Sequence, residues 1–147
     1  KKRAKELEFE GSFNAVDEHF IATNADRLLE NVDIVIDALD NVNARFLLED
    51  ECAKRNIPIV HGAVGEWVYQ VAVSMPGSNL LHRLYKDADP NKDSGDTKLE
   101  NYVFVVSLCA ARQVAEAVKL AMGEESELCD KVLFGDLKED FNQIVTI

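Results

Sequence analysis

Two rhythms of apolar and polar positions run along this chain. Residues 24–31 (NADRLLEN) place Ala25, Leu28 and Leu29 at i, i+3 and i+4, the spacing of a short helical turn. Residues 32–40 (VDIVIDALD) form a short β-branched apolar run broken by Asp33 and Asp37, which predicts a strand buried on both faces, as in a parallel sheet. Residues 44–55 return to helical spacing. Ala44, Leu47, Leu48 and Cys52 share one face, and Glu49, Asp50, Lys54 and Arg55 are expected to face water. Asn56 and Pro58 stop that helix, and residues 57–63 (IPIVHGA) read as the next buried strand. Strand, helix and strand with short links make a βαβ unit.

After Gly65 the period becomes two. Trp67, Tyr69, Val71 and Val73 point one way and Val68, Gln70, Ala72 and Ser74 the other, the alternation of an antiparallel strand, ended by Pro76-Gly77. The apolar stripe is expected in the core, with a partner surface as the alternative. Residues 86–101 (KDADPNKDSGDTKLEN) are the most polar stretch and predict an exposed, mobile loop. Residues 102–122 predict one long buried helix capped by Gly123. Residues 131–137 and 141–147 predict two closing strands joined by a turn at 138–140. At the other end, residues 1–8 look like the end of a helix, and 10–16 could form a short strand. The expected architecture is an α/β, Rossmann-like open sheet, its parallel part followed by antiparallel strands, with helices on both faces.

The 147 residues suit one domain, taken as 1–147. The opening on Lys1 with helix-like KKRAKEL leads us to expect a domain truncated at its N-terminus. The 16 Lys and Arg against 27 Asp and Glu give a net charge of -11, which disfavours general nucleic-acid binding; KKRAK reads as a solvated helix end. No apolar run reaches membrane-spanning length and no signal segment is present, so a cytoplasmic protein is expected. Cys52, Cys109 and Cys129 are odd in number and widely spaced, giving neither a disulfide framework nor a CxxC site. Cys52 and Cys109 are expected in the core, and acidic neighbours disfavour a thiolate at Cys129.

The sharpest candidate chemistry is Asp40-Asn41, four residues before Arg45, at the carboxyl end of a predicted buried strand. Ligands of open α/β sheets bind there. A carboxylate at that point can hold Mg²⁺ bridged to phosphate oxygens, while Arg45 could reach a phosphate or lock the Asp40 loop. The plain alternative is that Asp40 or Asn41 caps the following helix, and the two roles are compatible. His61 could line a site or be a satisfied core imidazole, and His19 and His82 lack metal-ligand spacing.

The run VDIVIDALDNVNARFLLEDECAKRNIPIVHGAVGEWVYQVAVSMPG resembles the central segment of the ThiF/MoeB/HesA family, prokaryotic relatives of ubiquitin-activating enzymes. The shared pattern is a strand ending in Asp-x-x-Asp-Asn, an Arg on the next helix, a Pro-led strand with Gly-Ala, a Gln-led strand and a Pro-Gly turn. ARQVAEAVKLAMG and KVLFGDLKEDFNQIVTI resemble the family's C-terminal helix and last strands, so the resemblance runs from about residue 13 to 147. It implies MgATP-dependent adenylation of the C-terminal Gly-Gly carboxylate of a small ubiquitin-like sulfur-carrier protein, of the kind used in thiamine or molybdopterin sulfur transfer. It also implies a homodimer. In this resemblance Asp40 is the Mg²⁺ and ATP-phosphate aspartate, Asn41 and Arg45 complete its motif, and Gln70 is the glutamine of the family's Gly-Gln pair. The strand after Gly65 and the 86–101 loop would guide the carrier's tail.

Three departures stand beside the likeness. Tyr69 occupies the usual glycine position before Gln70. The GxGxxG nucleotide loop and the family's ATP-contacting arginine are missing from these residues, as is its lysine unless Lys1 or Lys2 is its remnant; weak or absent ATP binding is expected for this chain alone. Residues 80–87 (LLHRLYKD) stand where many members carry the first CxxC, so neither zinc nor a loop-borne thioester is expected. Two other functions compete. One is a non-catalytic binding or dimerisation module on the same fold, and the other is a nicotinamide-dependent Rossmann enzyme, which leaves everything after residue 65 unexplained.

Overall fold

The computed structural model describes residues 11–88 and 100–147. A five-stranded sheet carries the fold: β1 (Val35–Asp37), β2 (Ile59–Gly65), β3 (Val68–Ser74), β4 (Lys131–Asp136) and β5 (Phe141–Thr146), side by side in that order. β1 and β2 are parallel and every later pair is antiparallel, as the change of period at Gly65 predicts. The helices are α1 (Ala25–Leu28), α2 (Val42–Lys54), α3 (Leu80–Leu84) and α4 (Val103–Ala121).

The alternation in β3 divides the core between the two faces of the sheet. Tyr69, Val71 and Val73 join Val60 and, from α4, Val105 and Cys109 in the larger cluster. On the opposite face Ala72 and Val132 pack against Leu80 of α3. Leu48 and Cys52 of α2 pack with Ile57 and Ile59. Helices therefore cover both faces, and each fully buried Val, Leu or Ile contributes about 1.5–3 kcal/mol. Tyr69, in the family's glycine position, has a matching vacancy across the ladder. Its partner is Gly135, where a Cβ would lie 2.3 Å from the Tyr69 ring, and its hydroxyl donates to Asn142. Trp67 lies just before β3 and packs at a tilt against the rings of Tyr102 and Phe104.

Several boundaries and burials differ from expectation. The strand over 32–40 shortens to Val35–Asp37 and is not buried on both faces, since Ile36 is 46% exposed at an edge of the described sheet. The Asp37 carboxylate accepts Leu39 N–H at 2.8 Å and turns the chain out of the ladder. Residues 11–16 form no strand; Phe13 and Val16 stay exposed. On α2, Glu49 is buried rather than water-facing and Arg55 is half-buried. The long helix α4 is there, and Gly123 at φ 72 ends it with N–H bonds from Gly123 to Leu120 and from Glu124 to Lys119. It is not wholly buried. The sheet covers Val105, Cys109 and Gln113, leaving Val103, Val114, Val118 and Met122 exposed. The helix expected over 1–8 and most of the 86–101 loop lie outside the described residues.

Candidate active site

The parallel register of β1 and β2 sets Asp37 beside His61, both wholly buried. His61 Nδ1 lies 2.6 Å from Asp37 Oδ2. Burial lowers the His61 pKa from its ordinary 6.5 against the pull of the Asp37 hydrogen bond and charge, so the imidazole is neutral, with its proton on Nδ1. The other ring nitrogen, Nε2, is 3.0 Å from Tyr85 Oη and 3.1 Å from Gln70 Nε2. Gln70 also donates to the Tyr85 oxygen. Burial pushes the Tyr85 phenol up to about 12, so it keeps its proton.

Arg45 folds inward from the first turns of α2. Its Nε is 3.3 Å from Asp37 Oδ2, one terminal nitrogen donates to Leu39 O, and the guanidinium sits 5.3 Å from the Tyr85 ring centroid. This is the loop-locking arrangement, with the cation engaged inside the protein. Asn41 takes the capping role, accepting Ala44 N–H at 2.8 Å. Asp40 is exposed, with Asn41 Nδ2 at 3.4 Å from its Oδ1.

Together these residues border a cleft of about 1020 Å³ at the carboxyl ends of β1 and β2, with Asp40, Arg45, Gln70, Tyr85 and Gln113 on its walls. Gly62 is needed at its floor: a Cβ there would lie 2.3 Å from the Gln113 amide, which bonds the Asp37 and Val60 carbonyls at 2.8 and 3.2 Å. Three of the four candidates, Asp40, Arg45 and Gln70, thus line one cleft, and Asn41 caps the helix beside it. Sequence reasoning gave no role to Asp37, Tyr85 or Gln113. A signal existed for Asp37, a carboxylate inside an apolar strand, which has to be paired if it is buried.

An exposed carboxylate at a strand's carboxyl end fits a metal ion bridged to phosphate. The chemistry for a whole triphosphate is incomplete, because among the described cleft residues the one cation is Arg45, already bound to Asp37 and Leu39. Among the described residues no three His, Cys, Asp or Glu side chains converge as a metal cluster, and no helix is long and apolar enough to cross a membrane.

Comparison with known proteins bears on the family and the fold. The ThiF family pattern matches residues 1–146. The chain is 30% identical over 129 residues to the adenylyltransferase and sulfurtransferase MOCS3 of Caenorhabditis briggsae, covering 86% of this chain and 32% of that protein. It is 30% identical over 115 residues to the SAMP-activating enzyme E1 of Haloferax volcanii, covering 78% of this chain and 43% of that enzyme. The chain therefore spans between about a third and somewhat under half the length of these relatives. Among solved structures, PaaA superposes with a TM-score of 0.64 at 15% identity, covering 85% of this chain and 45% of PaaA, a likeness of fold. By the sequence pattern that matches nearly its whole length, the chain belongs to the ThiF family.

Proposed function

We propose that the full-length protein adenylates the C-terminal carboxylate of a small ubiquitin-like sulfur carrier ending in Gly-Gly. The observation that carries this reading is Asp40 at the mouth of a strand-end cleft floored by Gly62, Ala63 and Gly65, in a ThiF-family chain. MgATP, when bound, supplies the adenylyl group. Asp40 would hold the Mg²⁺, Arg45 and Asn41 fix the Asp40 loop, and Gln70 lines the cleft with its amide nitrogen on His61 and Tyr85. The small floor residues leave room for a narrow extended tail. Phosphate neutralisation and the purine site fall to residues beyond those described here. The open apolar face of α4 supports a homodimer, and a cytoplasmic location and transfer of sulfur to the activated carboxylate belong to the same reading.

The test is carrier-dependent exchange of pyrophosphate into ATP by the full-length protein. Asp40→Ala is expected to lower exchange by about a hundredfold or more, the scale of removing one strong electrostatic group from a transition state. A second reading, a binding module without chemistry, is favoured by the engagement of Arg45 within the protein. It predicts no exchange in the wild-type protein.

A further inference from the structure

Around His61 the hydrogen-bond donors outnumber the acceptors that the protein offers them. With Nδ1–H given to Asp37 at 2.6 Å, the neutral ring has one acceptor lone pair, on Nε2. Two donors converge on it, the Tyr85 hydroxyl at 3.0 Å and the Gln70 amide nitrogen at 3.1 Å. The Gln70 amide has two hydrogens and reaches both His61 Nε2 and the Tyr85 oxygen, so three hydrogens, two from Gln70 and one from Tyr85, face these two acceptor positions and one is left over. The third neighbour of that oxygen, Arg45 at 3.4 Å, is a donor and cannot accept a phenolic hydrogen. With Gln70 on both positions, the Tyr85 hydrogen is the one that can turn into the cleft its side chain lines.

We infer that Tyr85 is a ligand-binding residue whose hydroxyl, aimed by the Asp37–His61–Gln70 chain, donates to a carboxylate or carbonyl oxygen of an acyl ligand. The identity of that ligand rests on the adenylation reading. Burial keeps the phenol protonated through the working pH range, and the neighbouring Arg45 charge favours an anionic acceptor. Asp37 and His61 act through Tyr85 and Gln70 and are positioning residues. Their parallel-strand pairing fixes the ring plane, and the ring fixes where the two donors lie.

The test uses the full-length protein and its Tyr85→Phe variant, which keeps the ring against His61 and Arg45 and removes only the oxygen. Calorimetry with a synthetic peptide ending in Gly-Gly with a free carboxylate is expected to show about tenfold weaker binding to Tyr85→Phe, the scale of one hydrogen bond to a charged group. The thermal midpoint should fall by no more than a few degrees, because Gln70 still satisfies His61 and loses only the Tyr85 oxygen, and the KM for ATP should stay within about twofold. Equal peptide affinity in both proteins would overturn the role of Tyr85 and leave the adenylation reading to the exchange assay. If only a whole carrier binds, its KM in exchange replaces peptide affinity, with a rise expected and an unchanged value overturning the inference. A wild-type protein that neither binds nor exchanges would overturn the adenylation reading and this inference with it.

Discussion

Two buried carboxylates, Asp37 and Glu49, are handled differently. Glu49 on α2 closes in on the protein itself. It accepts the Ser74 hydroxyl at 2.6 Å, the N–H groups of Leu81 and His82 at 2.8 and 3.0 Å, and the His82 ring nitrogen at 2.7 Å. Those bonds pin the start of α3 against α2, and His82 turns its other ring nitrogen back to Asp50 of α2 at 3.7 Å. Asp37 starts a chain instead, through His61 to Gln70 and Tyr85, and that chain ends at a cleft with a hydrogen to spare. Burial alone therefore does not mark a functional carboxylate. What distinguishes the two is whether the hydrogen bonds close inside the protein or finish at a surface a ligand can reach.

The contrast can be broken most forcefully at Asp37. Asp37→Ala leaves the Arg45 charge buried without its carboxylate and frees the His61 ring, and should cost about 3–5 kcal/mol in denaturant unfolding of the full-length protein. Glu49→Gln keeps the shape but sets an amide NH₂ among four donors, and should cost about 1–3 kcal/mol by the same measurement, with exchange activity retained once folded. A larger loss for Glu49→Gln than for Asp37→Ala would reverse the ranking.

Acid unfolding sharpens the comparison with smaller effects. Burial lowers the His61 pKa below 6.5, so the unfolded chain takes that proton first. The His61 contribution is whole above pH 6.5 and is lost as pH falls further. For Glu49, burial pushes upward but the bonds from Ser74, Leu81 and His82 outweigh it, and the pKa ends below its ordinary 4.5. Its contribution is whole above pH 4.5 and is lost below it. Stability plotted against pH should fall in two limbs, and Glu49→Gln should shrink the lower limb, to which Glu51 bonded to Lys54 and Arg55 also contributes, while leaving the upper one.

Much of the fold was legible because β1–α2–β2 and the later strands follow their own periods, and because Gly123 and Pro76-Gly77 are local stop signals. Position in the sheet was not legible. β1 reads as a strand covered on both sides, yet Ile36 is open, and α4 has more apolar surface than the sheet can cover. Glu49 lies on the charged side of its helix by pattern and is buried because α3, too short for periodicity to reveal, packs across it. Within the site, Asp40, Asn41, Arg45 and Gln70 stood out as a motif. Tyr85 did not, because its place depends on a hydrogen-bond chain spanning residues 37 to 85 that no local pattern encodes. Where Asp40 and Asn41 were both capping candidates, only side-chain geometry assigned the cap to Asn41.

The most direct measurement sets Asp40→Ala beside Glu49→Gln in the full-length protein, reading carrier-dependent pyrophosphate exchange and unfolding free energy for each. The exposed Asp40 should lose exchange while holding stability within about 0.5 kcal/mol, and Glu49→Gln should lose stability while keeping exchange. Exchange that survives Asp40→Ala undiminished would contradict the assignment of this cleft as the adenylation site.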